Sequence, residues 1–147
     1  MSRLFPASFA LLVLLSASPA IARDPAYFKE IRVRPLLKTE KDSAGQKLVY
    51  PAGKNPEVTA VLVEIPAGAE TGWHIHPVPC FAYILEGEIV VELKSGKKKN
   101  LRAGEAFSEV VNVIHTGRNP GPGTAKLVLF AVGSRGVPFA IKKCCGR

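Results

Sequence analysis

The chain has 147 residues, with 20 lysines and arginines, 12 aspartates and glutamates, and only three histidines. Its net charge of +8 falls largely on turn and tail lysines with no aromatic residues interleaved, which argues against a nucleic-acid partner. A chain of this length builds one hydrophobic core, and no internal repeat divides it.

The first stretch, MSRLFPASFALLVLLSASPAIARDP, has the order of a secretory signal. Arg3 is the basic n-region, Phe9 to Leu15 the apolar run, and Ala20-Ile21-Ala22 the cleavage pattern. Residues 1–22 are therefore expected to be removed, leaving Arg23 first in a periplasmic or secreted protein. The apolar run is broken too early, at Ser16, Ser18 and Pro19, to span a bilayer, so no membrane span is expected after cleavage. Residues 23–57 read as an N-terminal extension with one strand-like stretch around Ile31–Leu37. Residues 58–132 read as the core, and 133–147 as a C-terminal tail.

The core is a series of short strands. Val58–Ile65 alternates as VTAVLVEI until Pro66-Ala67-Gly68 stops it. Trp73–His76 is short and extended. Phe81–Leu85 is a continuous apolar run, Glu86-Gly87 a turn, and Ile89–Leu93 the next strand. Ser95-Gly96 is a hairpin turn with Lys97-Lys98-Lys99 on its far side. Ala103-Gly104-Glu105 is another turn. Phe107–His115 is rich in β-branched residues, RNPGPGT from Arg118 to Thr124 is a loop, and Lys126–Val132 is strongly apolar. Strands of this length, with turns every eight to twelve residues, define an all-β fold: a single-domain antiparallel β-barrel or jelly roll.

The segment GWHIHPVPC, Gly72 to Cys80, holds two of the three histidines. Residues two apart on a strand point to one face, so His74 and His76 project together with Ile75 turned away. Paired imidazoles make a poor apolar core, because every ring nitrogen needs a partner. They suit a first-row transition metal. A lone H-x-H is also compatible with a hydrogen-bonded surface pair.

The third histidine, His115, gives that pair a context. Gly68-x5-His74-x-His76, followed by Gly87, resembles the first motif of the cupins, G-x5-H-x-H-x3or4-E-x6-G. GEAFSEVVNVIHTGRN, Gly104 to Asn119, resembles their second motif, G-x5-P-x-G-x2-H-x3-N. All three histidines occupy ligand positions. The resemblance implies a small barrel whose interior gathers His74, His76 and His115 around one divalent transition metal: iron, manganese, zinc or copper. It also implies a small-molecule ligand or substrate and association into a homodimer. Dioxygenase-like and isomerase-like chemistry both occur on this fold, and a non-catalytic metal- or ligand-binding protein is the alternative.

The chain departs from the family pattern in two places. Val110 and Asn112 replace the usual Pro and Gly of the second motif. Cys80 stands where the first motif carries its glutamate, and Phe81 takes that place in the longer spacing. Cys80 then has three readings: a fourth metal ligand, a bystander beside a three-histidine site, or a buried residue or disulfide partner of Cys144 or Cys145. Glu105 and Glu109 are expected to be solvated, with a role in orienting His115 as the alternative. Asn119 is expected to brace the Pro-rich loop.

Overall fold

The computed structural model describes residues 32–52 and 55–143. The expected signal segment 1–22 and the cysteines Cys144 and Cys145 lie outside the described residues. No helix among the described residues is long and apolar enough to cross a membrane.

Among the described residues there are nine strands: β1 Pro56–Ile65, β2 His74–Ile75, β3 Cys80–Glu86, β4 Glu88–Leu93, β5 Lys98–Arg102, β6 Ala106–Ser108, β7 His115–Arg118, β8 Ala125–Ser134 and β9 Ile141–Lys142. They form two sheets, ordered β1-β8-β3-β6 and β5-β4-β7-β2-β9, with every strand pairing antiparallel. Strands distant in sequence are neighbours, as in a jelly roll. The all-β expectation therefore holds.

Alternation explains the first sheet. β1 and β8 pair along ten residues, from Pro56↔Ser134 to Ile65↔Ala125. Val61, Val63 and Ile65 of β1 then share the inner face with Leu127, Leu129 and Ala131 of β8. Proline is tolerated at the first position of β1, where its missing N–H costs least. β3 sends Cys80, Ala82 and Ile84 inward and leaves Phe81 and Tyr83 partly exposed. Between β3 and β4 the chain turns at Gly87, with φ 73°. A Cβ there would lie 3.1 Å from the Ala125 Cα, so both the turn and the close approach require glycine.

Three sequence expectations need correction. Residues 32–37 form no strand; they are exposed and have no ladder partner. Nearby, an isolated bridge joins Lys41 and Lys47, and the buried Asp42 accepts from the amides of Ala44, Gln46 and Val111. The expected strand Phe107–His115 is two strands, β6 and β7, separated by residues 109–114. Asn112 breaks it with φ 57°. Asparagine is among the few non-glycine residues that tolerate this region, so the turn of the second motif persists without its glycine. Third, regular structure continues past residue 132: β9 pairs with β2, through His74↔Lys142 and Ile75↔Ile141.

Candidate metal centre

The three histidines come together where the five-stranded sheet faces the interior. Register places His74 of β2 directly opposite His115 of β7. His76 lies just beyond β2, held by an isolated bridge to Val111 and by its carbonyl, which accepts from the Asn112 amide at 2.8 Å. The ring centroids are 4.9 Å (His74–His76), 4.3 Å (His74–His115) and 5.0 Å (His76–His115) apart. One ring nitrogen of each lies within 4.8 Å of the other two. The two-residue parity read from H-x-H is what aims His74 and His76 the same way.

Each ring is locked by the backbone. Nδ1 of His74 bonds the Gly72 carbonyl at 2.8 Å, Nδ1 of His76 the Phe139 carbonyl at 2.7 Å, and Nδ1 of His115 the Val113 carbonyl at 2.8 Å. A carbonyl only accepts, so each Nδ1 carries the proton and each Nε2 is left with a lone pair. This is the tautomer a metal needs, fixed in the way metal-ligating histidines are usually fixed. Burial also favours the neutral rings. It is the main reason that His76 and His115 are both held down to about 4, against the opposing pull of their backbone hydrogen bonds. They therefore stand ready to donate at neutral pH.

Nε2 of His115 is buried with no hydrogen-bond partner, and so is Oε2 of Glu109. The two are 3.7 Å apart, too far for a hydrogen bond. With His115 neutral they are not an ion pair either. Burial raises the Glu109 carboxyl to about 7, opposed by the Val110 amide and Lys99. An unpartnered nitrogen lone pair in a group of three imidazoles fits a divalent transition metal, whose preferred ligands include imidazole and carboxylate.

Cys80, the fourth ligand candidate, is not part of this group. Its side chain is fully buried in the apolar core, and Sγ approaches the Val78 carbonyl at 3.5 Å. Burial, reinforced by the Glu109 carboxylate, pushes the thiol up to about 12. A thiol held protonated is a poor metal ligand. Cys80 is a free, buried thiol, as in the small-core-residue reading.

Other site residues divide in the same way. Glu105 is exposed, as expected, and its carboxylate accepts from the Arg102 amide at 2.7 Å in the turn after β5. Glu109 is the correction, since it is buried beside His115 rather than solvated. Alternation gives no signal for this, because the backbone between β6 and β7 is broken at Asn112 and parity does not run from Glu109 to His115. Asn119 braces its loop as expected, donating from Nδ2 to the Ile65 and Gly123 carbonyls and accepting from the Gly121 amide. Phe139 had no sequence signal. It supplies the carbonyl for His76 and stacks its ring on the imidazole, with centroids 6.4 Å apart.

The imidazoles open onto a cavity of about 240 Å³. Its walls are mostly apolar, including Val63, Ile89, Val91, Leu129 and Phe139, with Glu109 and Lys142 as its charged groups. A separate, more open depression lies along Arg34–Leu36 and Lys99–Leu101 and shares no residue with this cavity.

A two-sheet antiparallel roll with an inward imidazole triad and an adjoining apolar cavity is a small barrel whose interior could hold a metal ion. Residues 61–132 match the Cupin domain family, and the chain belongs to the cupin superfamily. It is similar to the 3-hydroxyanthranilate 3,4-dioxygenase of Jannaschia sp. (strain CCS1), with 31% identity over 110 residues, 71% of this chain and 58% of that protein. It therefore spans little more than half of that relative. Among solved structures, it is similar to the DMSP lyase DddQ from Ruegeria pomeroyi, with TM-score 0.53 and 20% identity over 61% of this chain and 45% of that one. The oxalate decarboxylase of Lactobacillus farciminis superposes with TM-score 0.51 and 20% identity over 58% of this chain and 26% of that one. At these identities the two structures show the fold alone.

Proposed function

We propose that this cupin binds one divalent transition metal through Nε2 of His74, His76 and His115, and acts on a small, largely apolar molecule in the adjoining cavity. The supporting observation is the three Nδ1–H bonds to backbone carbonyls, which leave three lone pairs converging within 4.8 Å. The dioxygenase relative favours oxygen-dependent chemistry over simple metal storage. A cavity beside the imidazoles also favours turnover, since a storage site gains nothing from an open neighbouring space. At about 240 Å³ it falls below the roughly 300 Å³ at which drug-sized pockets begin, so the substrate is compact.

When bound, the metal supplies a Lewis-acid or oxygen-activating centre. The chain's own residues do the rest. The apolar walls exclude water and orient the substrate by shape. Lys142, at the edge of the cavity, offers a positive charge to an acidic group on that substrate. Glu109 is the one carboxyl lining the cavity beside the imidazoles. With Cys80 outside the group, the thiolate argument for copper falls away, leaving iron, manganese and zinc ahead of it.

Export is part of the reading and rests on the Arg3, Phe9–Leu15 and Ala20–Ala22 pattern. One purification tests both parts. The untagged protein, expressed with its full N-terminus and taken from the periplasm, is subjected to N-terminal sequencing and elemental analysis. The expected result is a start at Arg23 and close to one transition metal per chain, lost in His76→Ala. A His76→Ala protein with full metal occupancy overturns the ligand assignment.

A further inference from the structure

We propose that Glu109 supplies the carboxylate ligand that the first cupin motif of this chain lacks, so that the acid is carried by the second motif. This rests on the metal-binding reading above. The first motif offers Cys80 or Phe81 where its glutamate is expected, and neither serves. Cys80 faces the apolar core with its thiol against the Val78 carbonyl, and Phe81 has no donor atom.

Glu109 has what those residues lack. It is 6% exposed, and it lines the same cavity as the three histidines. Its Oε2 is buried without a partner, 3.7 Å from the equally unpartnered Nε2 of His115. His115 has committed its only proton to Val113, so its Nε2 offers a lone pair. Two lone pairs facing each other in an apolar enclosure repel unless a cation or a proton lies between them. The 3.7 Å separation is less than twice a metal–ligand bond of about 2.1 Å, so a single ion can touch both atoms.

Charge argues in the same direction. Three neutral imidazoles leave a divalent ion with its full charge in a low-dielectric cavity, and one carboxylate halves it. The Glu109 backbone is fixed for the purpose. Its amide donates to the Cys80 carbonyl at 2.8 Å, and two residues on, the Val111 amide is held by Asp42 at 3.2 Å. Glu109 lies outside the group of ligand atoms that fall within 4.8 Å of one another, so loading must draw its carboxylate toward His74 and His76. An ion that takes six ligands keeps two positions for substrate with this donor set. Three imidazoles and a carboxylate suit iron or manganese better than copper.

The test is a Co²⁺ titration of the metal-free chain, following the visible d–d absorption, for wild type, Glu109→Gln and Glu109→Asp. Wild type is expected to bind one Co²⁺. Glu109→Gln is expected to bind at least tenfold more weakly with an altered d–d spectrum, and Glu109→Asp to fall between the two. The melting temperature of the metal-free proteins separates ligation from architecture. A buried carboxylate waiting for an ion costs stability in its absence, so metal-free Glu109→Gln should melt no lower than wild type. Wild-type binding with an unchanged spectrum and affinity within twofold in Glu109→Gln overturns the assignment and leaves the three-histidine site standing. So does a clearly lower melting temperature for metal-free Glu109→Gln, which makes the group structural. A wild-type protein that takes up no Co²⁺ overturns the metal-binding reading itself, and this assignment with it.

Discussion

The two sheets of this barrel do different jobs with different means. The four-stranded sheet is built on β1 and β8, paired over ten residues, and the inward side chains that these strands and β3 give to the core are aliphatic apart from Cys80. The five-stranded sheet contains β2 and β9, two residues each, yet it carries His74 and His115. Long ladders and close-packed aliphatics hold the first sheet; the second is held at its working end by side chain–backbone bonds. Thr71 is one such tie, its hydroxyl accepting from the Gly117 amide at 3.0 Å. The imidazoles are therefore carried by one wall, and the long aliphatic ladder of β1 and β8 faces them from the other.

The largest expected effect falls on the scaffold wall. Ile84 is fully buried in β3. Ile84→Ala removes three methyl-type groups from a close-packed environment, at a cost of about 2–5 kcal/mol. Urea unfolding of the metal-free protein should show this loss, and a value under 1 kcal/mol would mean the two walls are not divided as described.

Acid should act on the other wall. His76 and His115 have an ordinary value of 6.5 and are held near 4 when folded. Between these values the unfolded chain binds more protons, so stability falls as pH drops from 6.5 towards 4. Glu109 works in the opposite direction, since its folded value near 7 exceeds its ordinary 4.5. The folded state takes up that proton first, which adds stability as pH falls from 7 to 4.5. Two losses against one gain leave a net loss of roughly 1.4 kcal/mol per pH unit between 6.5 and 4.5. Denaturation midpoints of the metal-free protein in chelator at pH 6.5, 5.5 and 4.5 measure it. A flat series would show that the imidazoles are not buried as neutral rings.

The smallest effect is expected at Cys80, and it sharpens the division. Cys80→Ala should cost about 1 kcal/mol, as for the loss of a small core group. Metal affinity should stay within twofold, because the thiol belongs to the scaffold wall. A tenfold fall in Co²⁺ affinity would move Cys80 into the site.

How legible each wall was in the sequence follows from the kind of information it uses. VTAVLVEI reads as a half-buried strand because alternation is local. The triad was legible because a fixed spacing, Gly68-x5-His74-x-His76 and Gly104 to Asn119, sets register as well as identity. Glu109 is not legible because a glutamate in a β-rich run reads as a solvent-facing residue, and its burial in the cavity is a matter of long-range packing. The break between β6 and β7 was missed because the β-branched residues from Val110 to Ile114 outweigh a single asparagine, although Asn112 sets the local backbone. β9 and Phe139 were invisible because a two-residue strand has no periodicity, and its pairing with β2 is a long-range choice.

The bond from His76 to Phe139 reaches across 63 positions of the sequence, and this sets an order of events in time. A ribosome that has finished both motifs, through Asn119, has made all three imidazoles but not the carbonyl that fixes the tautomer of one of them. Full donor competence arrives only after residue 139 has been synthesised and laid against β2. A chain that ends at Asn119 therefore holds three imidazoles of which only two have their backbone carbonyl partner, and the third bond belongs to the finished polypeptide.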